Sequence, residues 1–138
     1  MSGKNLRPIP WDSGNWYVVN EPMVNHLDEG TLSSLALKRV YNKPFIVSEY
    51  NHPAPNMYDA EAIVTLATYA ALQDWDGIFI FDYGSRDDWD AMRNRGYMDV
   101  DQHPVNMASF MPAYMVFGSG DVEPANYLLT SELDRQRE

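Results

Sequence analysis

Two continuous apolar runs, Phe45-Ile46-Val47 and Ile78-Phe79-Ile80-Phe81, stand on either side of a long segment with helical period. This arrangement constrains the chain more than any other feature. Runs that do not alternate with polar residues belong to strands covered on both faces, as in parallel sheets. Between them, from Tyr58 to Trp75, apolar residues recur at Ala62, Ile63, Leu66, Ala67, Ala70 and Ala71, which is one face of a helix. A strand, a helix and a second strand make a βα crossover, and such crossovers are right-handed with the helix outside the sheet.

The neighbouring segments extend the alternation. Trp16-Tyr17-Val18-Val19 favours extended structure and is stopped by Asn20-Glu21-Pro22. Thr31 to Tyr41 has helical spacing through Leu32, Leu35, Ala36 and Val40, with Thr31 as its cap. The first firm strand is expected over Pro44–Tyr50. The prolines of Asn51-His52-Pro53-Ala54-Pro55-Asn56 then enforce a loop, and Asn56 with Asp59 is the capping pair for the next helix. Gly84 to His103 is a polar loop rich in aspartate. His103-Pro104 opens a last helix, Val105 to Phe117, which Pro112 should kink and Gly118 should end. Tyr127 onward begins a further strand before a charged end, and residues 1–15 are loop-like.

Length limits how far this can go. A (β/α)8 barrel takes roughly 250 residues, and this chain of 138 residues holds about two and a half βα units. The expected fold is α/β with a parallel sheet, and two firm strands make barely a sheet, so either part of it is missing or something else completes it.

Charge excludes several partners. Twenty acidic residues against ten basic ones give a formal charge of −10, which repels phosphate backbones and argues against nucleic acid. There is no basic cluster for an anionic membrane and no apolar stretch near the ~20 residues of a spanning helix. Without cysteine, disulfides and thiol chemistry are excluded. The compartment stays open: cysteine-free proteins occur on both sides of a membrane, and although Met1 to Pro10 lacks the apolar core of a signal peptide, in a fragment this says nothing of the parent. His26, His52 and His103 have no metal-ligand spacing, and the aspartates of 82–101 do not form an EF-hand, so neither metal nor cofactor is expected. Gly118-Ser119-Gly120 is followed by no Lys-Ser or Lys-Thr, and Ser33, Ser34 and Ser48 lack a nucleophile elbow.

In βα proteins, chemistry sits where strands end. The first run ends Val47-Ser48-Glu49-Tyr50-Asn51-His52 and the second ends Phe81-Asp82-Tyr83-Gly84. Each closes on a carboxylate among aromatic, amide or imidazole groups, a mixture suited to a neutral polyol: rings pack on sugar C–H faces while the polar groups bind hydroxyls. Each residue also has a plainer reading. Glu49 caps the next helix or pairs with an arginine, Asp82 orders its own loop, and His52 packs its loop.

The run Lys43 to Pro53, continued through Ala70-Ala71-Leu72-Gln73-Asp74-Trp75-Asp76-Gly77 into Ile78 to Phe81, resembles strands seven and eight of clan A glycoside hydrolases. These are the cellulase-like and β-galactosidase-like retaining enzymes. The resemblance covers roughly residues 15–125 and implies a partial TIM barrel of the last two to three βα units, with residues 1–121 the C-terminal part of a catalytic domain and 122–138 a tail leading toward a following domain. It implies that Glu49 is the nucleophile, with Tyr50, Asn51 and His52 orienting it and the sugar. Asp82, Tyr83 and Trp89 would line the pocket. A second carboxyl ~5 Å away would serve as acid/base. In the clan that residue follows an asparagine at the end of strand four, which Asn20-Glu21 imitates. The interval from Glu21 to Glu49 leaves room for one βα unit rather than three, so the acid/base is expected upstream, with Glu21 the candidate inside the chain. The partners implied are a carbohydrate substrate and either the upstream remainder of the barrel or a second copy. The alternative is a non-catalytic truncated barrel or saccharide-binding module.

Overall fold

The computed structural model of the protein describes residues 17–26 and 30–132. A 3-10 turn, Met23–Asn25, leads to α1 (Thr31–Ala36), β1 (Ile46–Tyr50), α2 (Glu61–Leu72), β2 (Gly77–Ile80) and α3 (Pro104–Ala113). A π-helical segment, Tyr114–Gly118, follows α3 directly. β1 and β2 pair in parallel, with Ile46 opposite Gly77 and Val47 opposite Ile78. At their lower ends Asp76 ties them together: its N–H donates to Phe45 O at 2.9 Å and its Oδ2 accepts from Phe45 N at 2.7 Å.

α2 forms the centre of the core. The six residues of its periodic apolar face are all buried, Leu66, Ala67 and Ala70 completely. Its small alanines let the helix lie close to its neighbours, and full burial of Leu66 alone contributes roughly 1.5–3 kcal/mol. Val47 and Tyr50 from β1, Leu32 from α1, Trp75, Met23 and Ala113 join the same cluster, with Ile78 and Ile80 packed against it. Trp75 is wedged between Phe45 and Tyr69, ring centroids 5.1 and 5.9 Å away.

Several local expectations are corrected. α1 stops at Ala36 instead of Tyr41, because Leu37, Val40 and Tyr41 have no apolar surface to meet and are 89%, 63% and 70% exposed. The chain there tightens into i→i−3 hydrogen bonds and turns at Asn42, whose φ is 57°. Gly30, not Thr31, occupies the cap position of α1; a Cβ there would lie 2.6 Å from His26 O, so the close approach requires glycine. Asn56 and Asp59 do not cap α2. Asn56 Oδ1 accepts from Tyr58 N at 2.8 Å, closing an Asx turn, while Asp59 turns toward α3. The last helix is α-helical only to Ala113; beyond Pro112, which has no N–H to donate, it widens into the π segment. Val18 makes a single β-bridge where a short strand is expected, and no strand forms between Tyr127 and Glu132. Trp16, the segment 1–15 and the charged end from 133 lie outside the described residues.

Candidate functional site

The carboxyl ends of β1 and β2 are shaped by an irregularity in β1. Val47 pairs with Ile78 and Tyr50 with Ile80, so Ser48 and Glu49 together oppose Phe79. Such a bulge moves the following residues across the sheet. Val47 and Tyr50 are both buried toward α2, whereas Ser48 and Glu49 are both exposed. The face turned away from α2 also carries Ile46, Phe79 and Phe81, respectively 55%, 57% and 50% exposed. Glu49 makes no hydrogen bond or ion pair among the described residues, so neither the helix cap nor the arginine pair accounts for it.

Tyr50, Asn51 and His52 lie inside the fold. Tyr50 O–H donates to Met23 Sδ and meets His52 Nε2, both at 3.1 Å. With the hydroxyl hydrogen on sulfur, His52 Nε2–H is the donor and Nδ1 is left as a buried acceptor without a partner. Burial pulls the imidazole down from its ordinary value to about 4, and pushes the Tyr50 phenol up. Asn51 is saturated. Its Oδ1 accepts from Phe81 N at 3.3 Å, and its Nδ2 donates to Asp82 O at 3.4 Å and to Met98 O. No hydrogen bond joins any of these three side chains to Glu49. Asn51 binds the ends of the two strands to each other and to the segment around Met98, while Tyr50 and His52 meet each other and Met23.

That segment supplies a residue the sequence reading passed over, Asp99. Its carboxylate accepts from Gly96 N at 2.6 Å, from Ser85 Oγ at 2.9 Å and from Ser85 N at 3.2 Å. Burial acts to raise its pKa, but these donors outweigh it and hold the carboxyl below its usual value. Asp82 comes within hydrogen-bond reach of Asp99. Burial first, then the charge and hydrogen bond of Asp99 and the charge of Asp101, push Asp82 above the usual range, against the Gly84 N–H. The two carboxyls are thus driven apart in acidity, with Asp82 the one that holds a proton longer. The glycines are the legible signal: a Cβ on Gly96 would lie 2.6 Å from Asp99 Oδ1, and one on Gly84 2.9 Å from the Asp101 carboxyl carbon.

Beyond Asp82, Tyr83 and Trp89 stand together on the surface, centroids 6.1 Å apart and planes tilted by 40°. Trp89 is 62% exposed, and its carbonyl accepts from Gln102 Nε2 at 2.7 Å. Arg86, Asp87, Asp88 and Arg95 of the same loop line an open cavity of about 700 Å³. Glu21 is engaged elsewhere: its carboxylate meets His26 Nε2 at 2.9 Å on the surface. Its neighbour Asn20 accepts from Met57 N at 2.8 Å, which brings this segment onto the loop after β1.

Among the described residues no group of three or more His, Asp or Glu is placed to hold a metal ion, and no helix is long and apolar enough to cross a membrane. Compared with known proteins, the chain matches no family model, no curated protein and no solved structure.

Proposed function

We propose that the chain is the C-terminal part of a (β/α)8 glycoside hydrolase of retaining type, with Glu49 as nucleophile. The observation that carries this reading is the bulge in β1, which presents Glu49 on the sheet face opposite α2, at the carboxyl end of a parallel strand. In a barrel that face is the interior and that end is the catalytic one. Ile46, Phe79 and Phe81 on the same face suit a barrel interior filled by side chains of further strands. Glu49 would attack the anomeric carbon while a second carboxyl protonates the leaving oxygen; the glycosyl-enzyme would then be released by water activated by that second group. The acid/base is expected from polypeptide outside this sequence, with Glu21 the in-chain candidate.

The exposed Tyr83–Trp89 pair favours a second reading, a saccharide-binding module without turnover. One experiment separates the two. A 2-deoxy-2-fluoro glycosyl fluoride needs little protonation of its leaving group, so it tests the nucleophile even without an acid. Intact-mass and peptide mapping should find one glycosyl group, on Glu49, absent in Glu49→Gln. Saccharide binding without any label on Glu49 would leave only the binding module.

A further inference from the structure

We propose that protonated Asp59 closes a two-bond ring with the Asn106 carboxamide, a latch between the loop leaving β1 and the first turn of α3 that loosens when the proton is lost. One bond of the ring is already in place: Asn106 Nδ2 donates to Asp59 Oδ2 at 2.8 Å. The other oxygen of each group, Asp59 Oδ1 and Asn106 Oδ1, is buried and has no hydrogen-bond partner among the described residues. Both are acceptors while Asp59 is ionised, so what the pair lacks is one hydrogen. A proton taken from solvent onto Asp59 Oδ1 supplies it, and its bond to Asn106 Oδ1 would satisfy both oxygens together. Left bare in the interior, each would carry the desolvation cost of an unmade hydrogen bond.

Little around Asp59 compensates a negative charge. The residue is 4% exposed. His103 Nε2 comes within 3.4 Å of Oδ2, but His103 Nδ1 accepts from Asn106 N at 3.2 Å as the cap of α3. A ring nitrogen that accepts carries no hydrogen, so the capping imidazole is neutral. Glu61, the first residue of α2, turns its carboxylate to Met23 N and Val24 N. Asn56 Nδ2, a buried donor of the same loop, has no partner and so does not reach Asp59. No lysine, arginine or main-chain N–H meets the carboxyl among the described residues. Burial accordingly raises the Asp59 pKa above its usual value, against the Asn106 hydrogen bond and the proximity of His103. The stability this proton confers is complete below the ordinary ~3.9 and is lost as pH rises through the folded value. Ala54 N donates to Tyr97 O at 2.7 Å and ties the loops after β1 and β2 independently, so proton loss acts locally, at the start of α3.

Carboxyl-carbon NMR of the whole chain tests this, with the Asp59 signal assigned through its own amide and the ring protons of His103 followed separately. The Asp59 carboxyl should titrate with a midpoint above the ordinary ~3.9, and the carboxamide protons of Asn106 should shift with that same midpoint. Urea unfolding adds a second reading. Asp59→Asn keeps both bonds as an amide pair, so below about pH 3.9 it should unfold where the wild type does, whereas Asp59→Ala should unfold at lower urea. Between that pH and the NMR midpoint, the wild type should lose about tenfold in its folding constant, relative to Asp59→Asn, for each pH unit crossed. A midpoint at or below ~3.9 would overturn the latch, leaving an ionised carboxylate whose Oδ1 takes its hydrogen from water. So would Asn106 carboxamide protons that ignore the titration of Asp59, or an Asp59→Asn protein that loses stability against the wild type as pH rises. The titration needs no variant, so misfolding of either substitution leaves the test intact.

Discussion

Val47 and Tyr50 are three positions apart in β1 yet face the same side of the sheet, opposite Ile78 and Ile80. Simple alternation would put them on opposite faces. The extra residue between them turns Glu49 away from the core, and this has a direct consequence for mutation. Because Glu49 is exposed and bonded to nothing among the described residues, Glu49→Gln should change stability by no more than ~0.5 kcal/mol. Equilibrium urea unfolding should give superimposable curves for the two proteins, while labelling by the fluoro sugar disappears in the variant. A large loss of stability would mean that Glu49 has a structural partner.

Asn51 has the opposite character. Its amide meets three main-chain groups, from Phe81, Asp82 and Met98, and the side chain is 4% exposed. Asn51→Ala would strip partners from these groups where water has little access, at a cost of about 2–3 kcal/mol. Hydrogen exchange should show faster exchange at Phe81 and in the segment around Met98, with α2 amides changed only as far as global stability falls. A substitution that is neutral in stability but abolishes saccharide binding would instead mark Asn51 as a ligand-binding residue.

His52 sets a pH dependence. Its folded pKa is lowered to about 4 by burial, below the ordinary ~6.5, so across that interval the unfolded chain takes up a proton that the folded chain refuses. Its contribution is complete above about pH 6.5 and is lost as pH falls toward 4, amounting to roughly 3 kcal/mol. Asp82 and Asp59, both raised, act in the other direction as pH rises through their folded values. The prediction is therefore a difference: between pH 7 and 4.5, His52→Gln should lose less stability than the wild type in urea titrations. Parallel losses would show that His52 titrates normally.

The elements that bury one continuous face were legible in the sequence, and those decided by a partner elsewhere in the chain were not. Ala62, Ile63, Leu66, Ala67, Ala70 and Ala71 mark α2 because its period follows from helix geometry alone. Phe45-Ile46-Val47 and Ile78 to Phe81 mark the strands for the same kind of reason. The bulge is hidden, since the order Val-Ser-Glu-Tyr does not say which residue is the extra one until the pairing with Phe79 is known. Asp59 reads as a cap and instead meets Asn106 Nδ2 at 2.8 Å and His103 Nε2 at 3.4 Å, partners more than forty positions away in sequence. Glu49 and Tyr83 stand out in the sequence by position at strand ends and by residue type, and Trp89 only by the resemblance; the structure leaves all three exposed. The environment of Asp99 was not legible, because its donors Ser85 and Gly96 come from a loop without regular structure.

The exposed face of β1 and β2 gives the last prediction. Ile46, Phe79 and Phe81 are each at least half exposed, side by side on a two-stranded parallel sheet, an architecture that is otherwise covered on both faces. Whether further barrel strands or another copy covers this surface, the isolated chain should hide it by associating as its concentration rises. Sedimentation velocity should show the average mass climbing with concentration, and Phe79→Lys should restore the monomer. The substitution should cost little in stability, because Phe79 is absent from the cluster formed by α2, Val47 and Tyr50. Persistent monomers of the wild-type chain at high concentration would show that this face does not drive association. If Phe79→Lys instead unfolded the protein, Phe79 would belong to the core and the face would not be open.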